Sequence, residues 1–332
     1  MTKEGIMFLK ARRILGAALV ISLFVQMHIA TDGYASRGTK IAFTSTRDGN
    51  LEIYVMDGDG GNQKRVTVHP NIDEDPAWSP DGKKIAFVSN RNGGRIQIWV
   101  IDADGKNTIR LTDGVSDQNP DWSPDGTKIA YDFLLNPWDN DKWNRTIYVM
   151  DSDGRNSRQL IEKPEWDTNP SWSPDGGKIA FRSHNHERSA EIYVMDSDGG
   201  DIERLTRGGF SKYMPAWSPD GSRIAYCTND HIWVMDSDGK NQRILTNRGW
   251  HEHPTWSPDS QKIAFQSWNG ARRAFSIFTV DAIGGAVNQI DQVHEKGETD
   301  PDWFNPGQLS VSPEGSRITM WGRLKKFASD LR

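Results

Sequence analysis

"NPDWSPDGTKIAYD", residues Asn119–Asp132, is one of five near copies of the same text. The others are "DPAWSPDGKKIAFVS" (Asp75–Ser89), "NPSWSPDGGKIAFRS" (Asn169–Ser183), "MPAWSPDGSRIAYCT" (Met214–Thr228) and "HPTWSPDSQKIAFQS" (His253–Ser267). With the tryptophan of each "P-x-W" as a ruler, the marks fall at Trp78, Trp122, Trp172, Trp217, Trp256 and Trp303. The intervals are 44, 50, 45, 39 and 47 residues, a mean of 45. That period fits a four-stranded propeller blade or a helical unit of the HEAT kind.

Composition inside the unit decides between them. "SPDG" is a turn in which Pro presets φ, Asp bonds nearby backbone and Gly accepts positive φ. A β run such as "KIAF" follows, then polar hairpin residues, then a second run. That second run reads "EIYVMD" from Glu52, "QIWVID" from Gln97, "TIYVMD" from Thr146, "EIYVMD" from Glu191, "HIWVMD" from His231 and "SIFTVD" from Ser276. Short β-branched and aromatic runs between turns are strands. Several are apolar at both parities, as in Ile192-Tyr193-Val194-Met195, so both faces are covered. The expected fold is therefore all-β: a six-bladed propeller of four-stranded antiparallel blades over residues 39–306. Strand A carries "P-x-W", strand B "KIAF", strand C "IYVMD" and strand D "RLT". The first unit begins at strand B, Lys40–Ser45, and the sixth A strand, "DPDWF" at Asp300–Phe304, has no B strand after it. The last A strand should thus complete blade one, closing the ring with strands from both termini and leaving no long free edge.

The motif "P-x-W-S-P-D-G-x-x-I-A-F" followed by "I-Y-V-M-D-x-D-G-x-N-x-x-x-L-T" resembles the repeat of TolB-type six-bladed β-propellers. Similar units also build the propeller of prolyl-oligopeptidase-type peptidases. The resemblance covers about residues 39–304 and implies a periplasmic or secreted propeller that binds other molecules, typically proteins. TolB proper carries an N-terminal α/β domain, which this chain is expected to lack. The first strand follows within a few residues of an N-terminal leader.

That leader has Lys3, Lys10, Arg12 and Arg13 ahead of the apolar Ile14–Ala30, then small residues to Ala35. It reads as a signal peptide over 1–35, with an uncleaved anchor as the alternative and the only route to a membrane. Residues 307–332 form a tail resembling a decayed A–B hairpin. Net charge is −5, so no basic stripe argues for nucleic acid. With one cysteine, Cys227, no intrachain disulfide can form, and the protein is expected to be a monomer held by packing.

A nucleophile is hard to find. There is no G-x-S-x-G elbow, and Cys227 sits in a strand B as a packing residue. The "D-x-D-G-x-N" text at Asp57, Asp102, Asp151, Asp196 and Asp236 resembles half a calcium loop, but the distant Glu is missing and the residues suit a turn.

The residues that differ between repeats are more informative. Before each strand A, at one mouth of the channel, stand "DED" (Asp73, Glu74, Asp75), "DQN" (Asp117 to Asn119), "DTN" (Asp167 to Asn169), "KYM" (Lys212, Tyr213, Met214), "HEH" (His251 to His253) and "ETD" (Glu298 to Asp300). Rotation brings them to one ring with eight carboxylates and two His against one Lys. One reading is that they cap strands and hold channel water; the other is a binding site for a divalent cation or a cationic partner group. His251 and His253, two apart on a strand, would point the same way and are the metal-ligand candidates. Trp166, Tyr213 and Trp250 stand near this rim, and Trp138 and Trp143 in the long B–C excursion of blade three, as sugar- or protein-contacting aromatics or as seals between blades. Two functions follow: a non-catalytic binding module for a protein or glycan, or a metal-dependent carbohydrate lyase or hydrolase with its site in the acidic channel.

Overall fold

The computed structural model describes residues 38–304, apart from 136–143, 163–164, 185–188, 229, 248, 272 and 292–296. The leader, the tail from 307 and the excursion holding Trp138 and Trp143 lie outside the described residues.

Six four-stranded antiparallel sheets form among the described residues. Their A strands are Glu298–Trp303 in blade one, then Asp73–Trp78, Asp117–Trp122, Asp167–Trp172, Tyr213–Trp217 and His251–Trp256 in blades two to six. Blade one joins the two ends of the chain: Ile41 faces Trp303, Ala42 faces Asp302 and Ser45 faces Glu298. The ring expected from the repeat is the ring observed.

Six buried apolar clusters hold it together, and each straddles one joint between neighbouring blades. Ile147 and Val149 of blade three pack with Trp172 and Phe181 of blade four. Met150, on the other face of the same strand, packs with Ile98 and Trp122 at the joint with blade two. This explains why strand C is apolar at both parities: each face serves a different neighbour. The closing joint is built the same way, with Ile41, Phe43 and Trp303 of blade one against Ala264 and Ile277 of blade six.

Polar staples back up the packing along the channel. Where the residue before Trp is polar, its side chain accepts the next blade's Trp backbone N–H: Asp302 from Trp78 at 2.7 Å and Asp121 from Trp172 at 2.7 Å. Where that residue is Ala, its carbonyl accepts the next blade's indole N–H instead. Trp122 thus donates to Ala77 at 3.2 Å and Trp256 to Ala216 at 3.0 Å.

The D-x-D-G-x-N turns are fully committed to structure. Asp57 receives Lys40 on one oxygen and Asn62 on the other, and Asp151 receives Lys128 and Asn156. The glycine of the turn lies against the previous blade. At Gly154 (φ +87°) a Cβ would sit 2.8 Å from the Leu111 carbonyl oxygen, and Gly105, Gly199 and Gly239 meet Val66, Leu160 and Leu205 likewise. Gly154→Ala should cost about 2–4 kcal/mol, from left-handed backbone plus a clash with main chain. Gly93→Ala, also left-handed but with nothing within 4 Å, should cost only about 1 kcal/mol. Urea unfolding of both variants checks this; equal losses would remove the joint from the explanation.

Candidate functional site

The triplets expected to precede strand A are its first half, and this changes where their side chains go. In every blade the A–B register slips just after the second triplet residue. The third residue is left-handed: Asp75, Asn119, Asn169, Met214, His253 and Asp300 all have φ between 52° and 56°. Asn, Asp and His tolerate that region best, and a proline follows in each case. The resulting bulge re-aims the strand.

First and third triplet residues therefore part company. Asp73, Asp117, Asp167 and His251, with Lys212 and Glu298, are buried in the wall. Asp73 pairs with Arg91 at 2.6 Å, Glu298 with Arg47, and Lys212 with Glu191 at 3.1 Å. Burial pushes the Asp117 and Asp167 carboxyls up to about 6. His251 spends both ring nitrogens, at 2.9 Å from Ser267 Oγ and 2.9 Å from the Asn247 carbonyl, and burial lowers its pKa. The expectation that His251 and His253 aim together is corrected: period-two alternation does not survive a left-handed residue. His253 lines the channel, its Nδ1 3.3 Å from Asp300 Oδ1.

The third residues form the ring. Below it, toward the Ser-Pro-Asp turns, lies a central cavity of about 220 Å³ walled by the six "P-x-W" segments. At the ring itself Asn119 N–H donates to Asp75 at 2.9 Å, Asn169 Nδ2 to Asn119 Oδ1 at 2.7 Å, and Asn119 Nδ2 to Asp132 at 2.6 Å. Burial, with Asp300 and Glu74 beside it, holds the Asp75 carboxyl well above the ordinary range; burial and Asp300 raise Glu74 too. Glu252 takes a bond from Gln266 Nε2 at 3.0 Å. The acidic sector is thus Glu74, Asp75, Glu252 and Asp300, from blades one, two and six.

Tyr213 lies on the opposite sector, with the Arg182 guanidinium 4.9 Å from its ring centre. Trp250 is 58% exposed and meets Trp268 edge-on at 6.4 Å. Trp166 is partly buried, its carbonyl accepting His184 N–H at 3.3 Å. Among the described residues no three His, Cys, Asp or Glu side chains gather closely enough to hold one metal ion.

Sequence reasoning missed a set of residues on strand B. The fifth position of "KIAFxS" reads Thr44, Val88, Asp132, Arg182, Cys227 and Gln266. Four of them accept the next blade's left-handed N–H: Thr44 from Asp75 at 3.2 Å, Asp132 from Asn169 at 3.3 Å, Cys227 from His253, and Gln266 from Asp300 at 2.8 Å. The signal was available as the most variable column of an otherwise near-constant run.

The profile of the family described as the TolB beta propeller domain matches residues 14–136 and 138–306. The Tol-Pal system protein TolB of Desulfosudis oleivorans is 47% identical over 55 residues, 17% of this chain and 13% of that one. A protein TolB homolog of Chlorobium luteolum is 40% identical over 74 residues, 22% and 17% of the two chains. These alignments span under a fifth of either relative's own length. The crystal structure of TolB from Acinetobacter baumannii matches with a TM-score of 0.70 at 25% identity, over 81% of this chain and 67% of that one. A chain of a nidogen/laminin complex matches at 0.66 and 13% identity, over 81% and 99%, a likeness of fold alone.

Proposed function

The chain belongs to the TolB β-propeller family, and from that premise we propose that it is a non-catalytic binding module acting in the periplasm. It works as a monomer whose channel mouth receives a cationic segment of a protein partner. The observation that carries this reading is the gathering of Glu74, Asp75 and Asp300 in one sector of the mouth, where the Asp300 charge adds to burial in raising the Glu74 and Asp75 carboxyls. Carboxylates gathered in this way on a rigid ring gain most when a cation is placed among them. The relatives named for the Tol-Pal system are in keeping with a protein partner, and the exposed Trp250–Trp268 pair supplies aromatic area beside the mouth.

Capture from periplasmic extract tests it, with the chain from Ser36 onward as bait and Glu74→Gln/Glu252→Gln as the comparison. Capture by the unaltered chain should fall steeply between low and high salt, and the double variant should lose most of it at low salt. Capture that ignores both salt and the substitutions, or a captured glycan in place of protein, would overturn the reading.

A further inference from the structure

Around the ring, the fifth residue of strand B normally satisfies the next blade's left-handed N–H, as Thr44, Asp132, Cys227 and Gln266 do. Arg182 occupies that place in blade four and has no acceptor to offer. Its guanidinium instead passes over the Tyr213 ring and donates from Nη1 to Thr168 Oγ1 at 3.3 Å. The buried Nε has no hydrogen-bond partner, and among the described residues no carboxylate pairs with it. Other arginines of the rim are neutralised: Arg47 by Glu298, Arg91 by Asp73 and Arg145 by Asp132. The Asp132 carboxylate, the acid that acts on Arg182 from nearby, is thus already committed to Arg145 and Asn119. A partly buried guanidinium without an anion is costly to keep, and a tyrosine face offsets part of that cost.

We infer that Arg182 is the anion hook of the channel mouth, so that the segment bound there is dipolar. A basic group sits against Glu74, Asp75 and Asp300, and a carboxylate sits on Arg182 in the opposite sector. The guanidinium suits this role because its planar fork matches a carboxylate. The Tyr213 ring lies against it, 4.9 Å from the guanidinium carbon. The inference rests on the mouth being the binding site, and it adds the orientation in which a partner enters.

Short capped peptides test it, read by indole fluorescence of the full chain. One set carries a lysine and an aspartate separated by glycine spacers of varied length, one carries lysine with a free C-terminal carboxylate, and one carries lysine alone. The unaltered protein should prefer one dipolar set over lysine alone by about tenfold or more. Which set wins tells a side-chain carboxylate from a chain end. Arg182→Gln should erase the preference while leaving lysine-only binding within about twofold, and Arg182→Lys should restore part of it. Thermal unfolding of each variant separates lost selectivity from lost structure. Lysine-only binding without a dipolar preference, or an equal loss of all peptides in R182Q and R182K, would overturn the anion hook alone. Failure of every peptide to bind the unaltered chain would overturn the mouth as well.

Discussion

Trp303→Ala is expected to lower the unfolding free energy by about 3–5 kcal/mol and to make the protein self-associate. The first part is ordinary cavity chemistry. Trp303 is 8% exposed and packs with Ile41, Phe43, Met56 and Ile277. The second part comes from topology. The strand holding Trp303 is the only A strand of the described ring whose blade lies at the other end of the chain. It also fastens three blades: Trp303 N–H donates to Thr255 at 3.1 Å, and Asp302 accepts from Trp78 at 2.7 Å.

Trp172→Ala is the control. Its indole is equally buried, at 8% exposed, so a similar amount of apolar contact is lost. Strand Asp167–Trp172, however, runs directly into its own strand B and returns to place over a short loop. If Glu298–Trp303 detaches, strand Lys40–Ser45 becomes a free apolar edge, and such edges pair with other chains. Light scattering over a concentration series should therefore separate the two variants even where urea midpoints do not. Monomeric behaviour of both, with losses under about 1 kcal/mol for W303A, would show that the ring does not depend on this closure.

Much of this architecture could be read from the text, and the reason is specific. A Pro-Asp-Gly turn between "P-x-W" and "KIAF" leaves few ways to run the chain, and a 45-residue period leaves few ways to stack the units. The mouth was harder to read. Alternation along a strand assumes extended backbone at every residue, and the left-handed third place defeats it, sending His251 into the wall and His253 into the channel. A hint was present, since five of the six residues there are Asp, Asn or His, the types that accept positive φ; Met214 alone is not. Asp132, Arg182 and Gln266 carry no such hint, because the runs containing them read as scaffold. Their contacts cross to the next blade, and no single-repeat reading carries that information.

The same crossing contacts govern the response to pH, and stability should fall as pH rises from about 5 to 8, by something on the order of 3 kcal/mol or more. Burial pushes the Asp302 carboxyl up to about 6 and Asp121 up to about 7, with Asp117 and Asp167 up to about 6, against 3.8 for an ordinary aspartate. Each group holds its proton more tightly folded than unfolded. Their contribution is complete below about pH 4 and is lost as pH climbs through 6 and 7. Surface pairs work the other way: Lys40 and Asn62 hold Asp57 below its usual range, and Lys84 and Asn107 do the same for Asp102, so these favour the fold until pH drops under about 4. The optimum should lie near pH 4–5, on the acid side of most proteins. Asp121→Asn/Asp302→Asn keeps an acceptor for the Trp172 and Trp78 N–H groups but cannot ionise. Thermal scans from pH 4 to 9 should show a flatter slope for that variant, with its largest gain at the alkaline end. A slope that rises with pH in the unaltered protein, or one the double variant leaves unchanged, would place the pH response elsewhere. The mouth has the opposite interest, because Glu74 and Asp75 attract a cation only once ionised. Binding should therefore strengthen as pH rises, the direction in which the ring weakens.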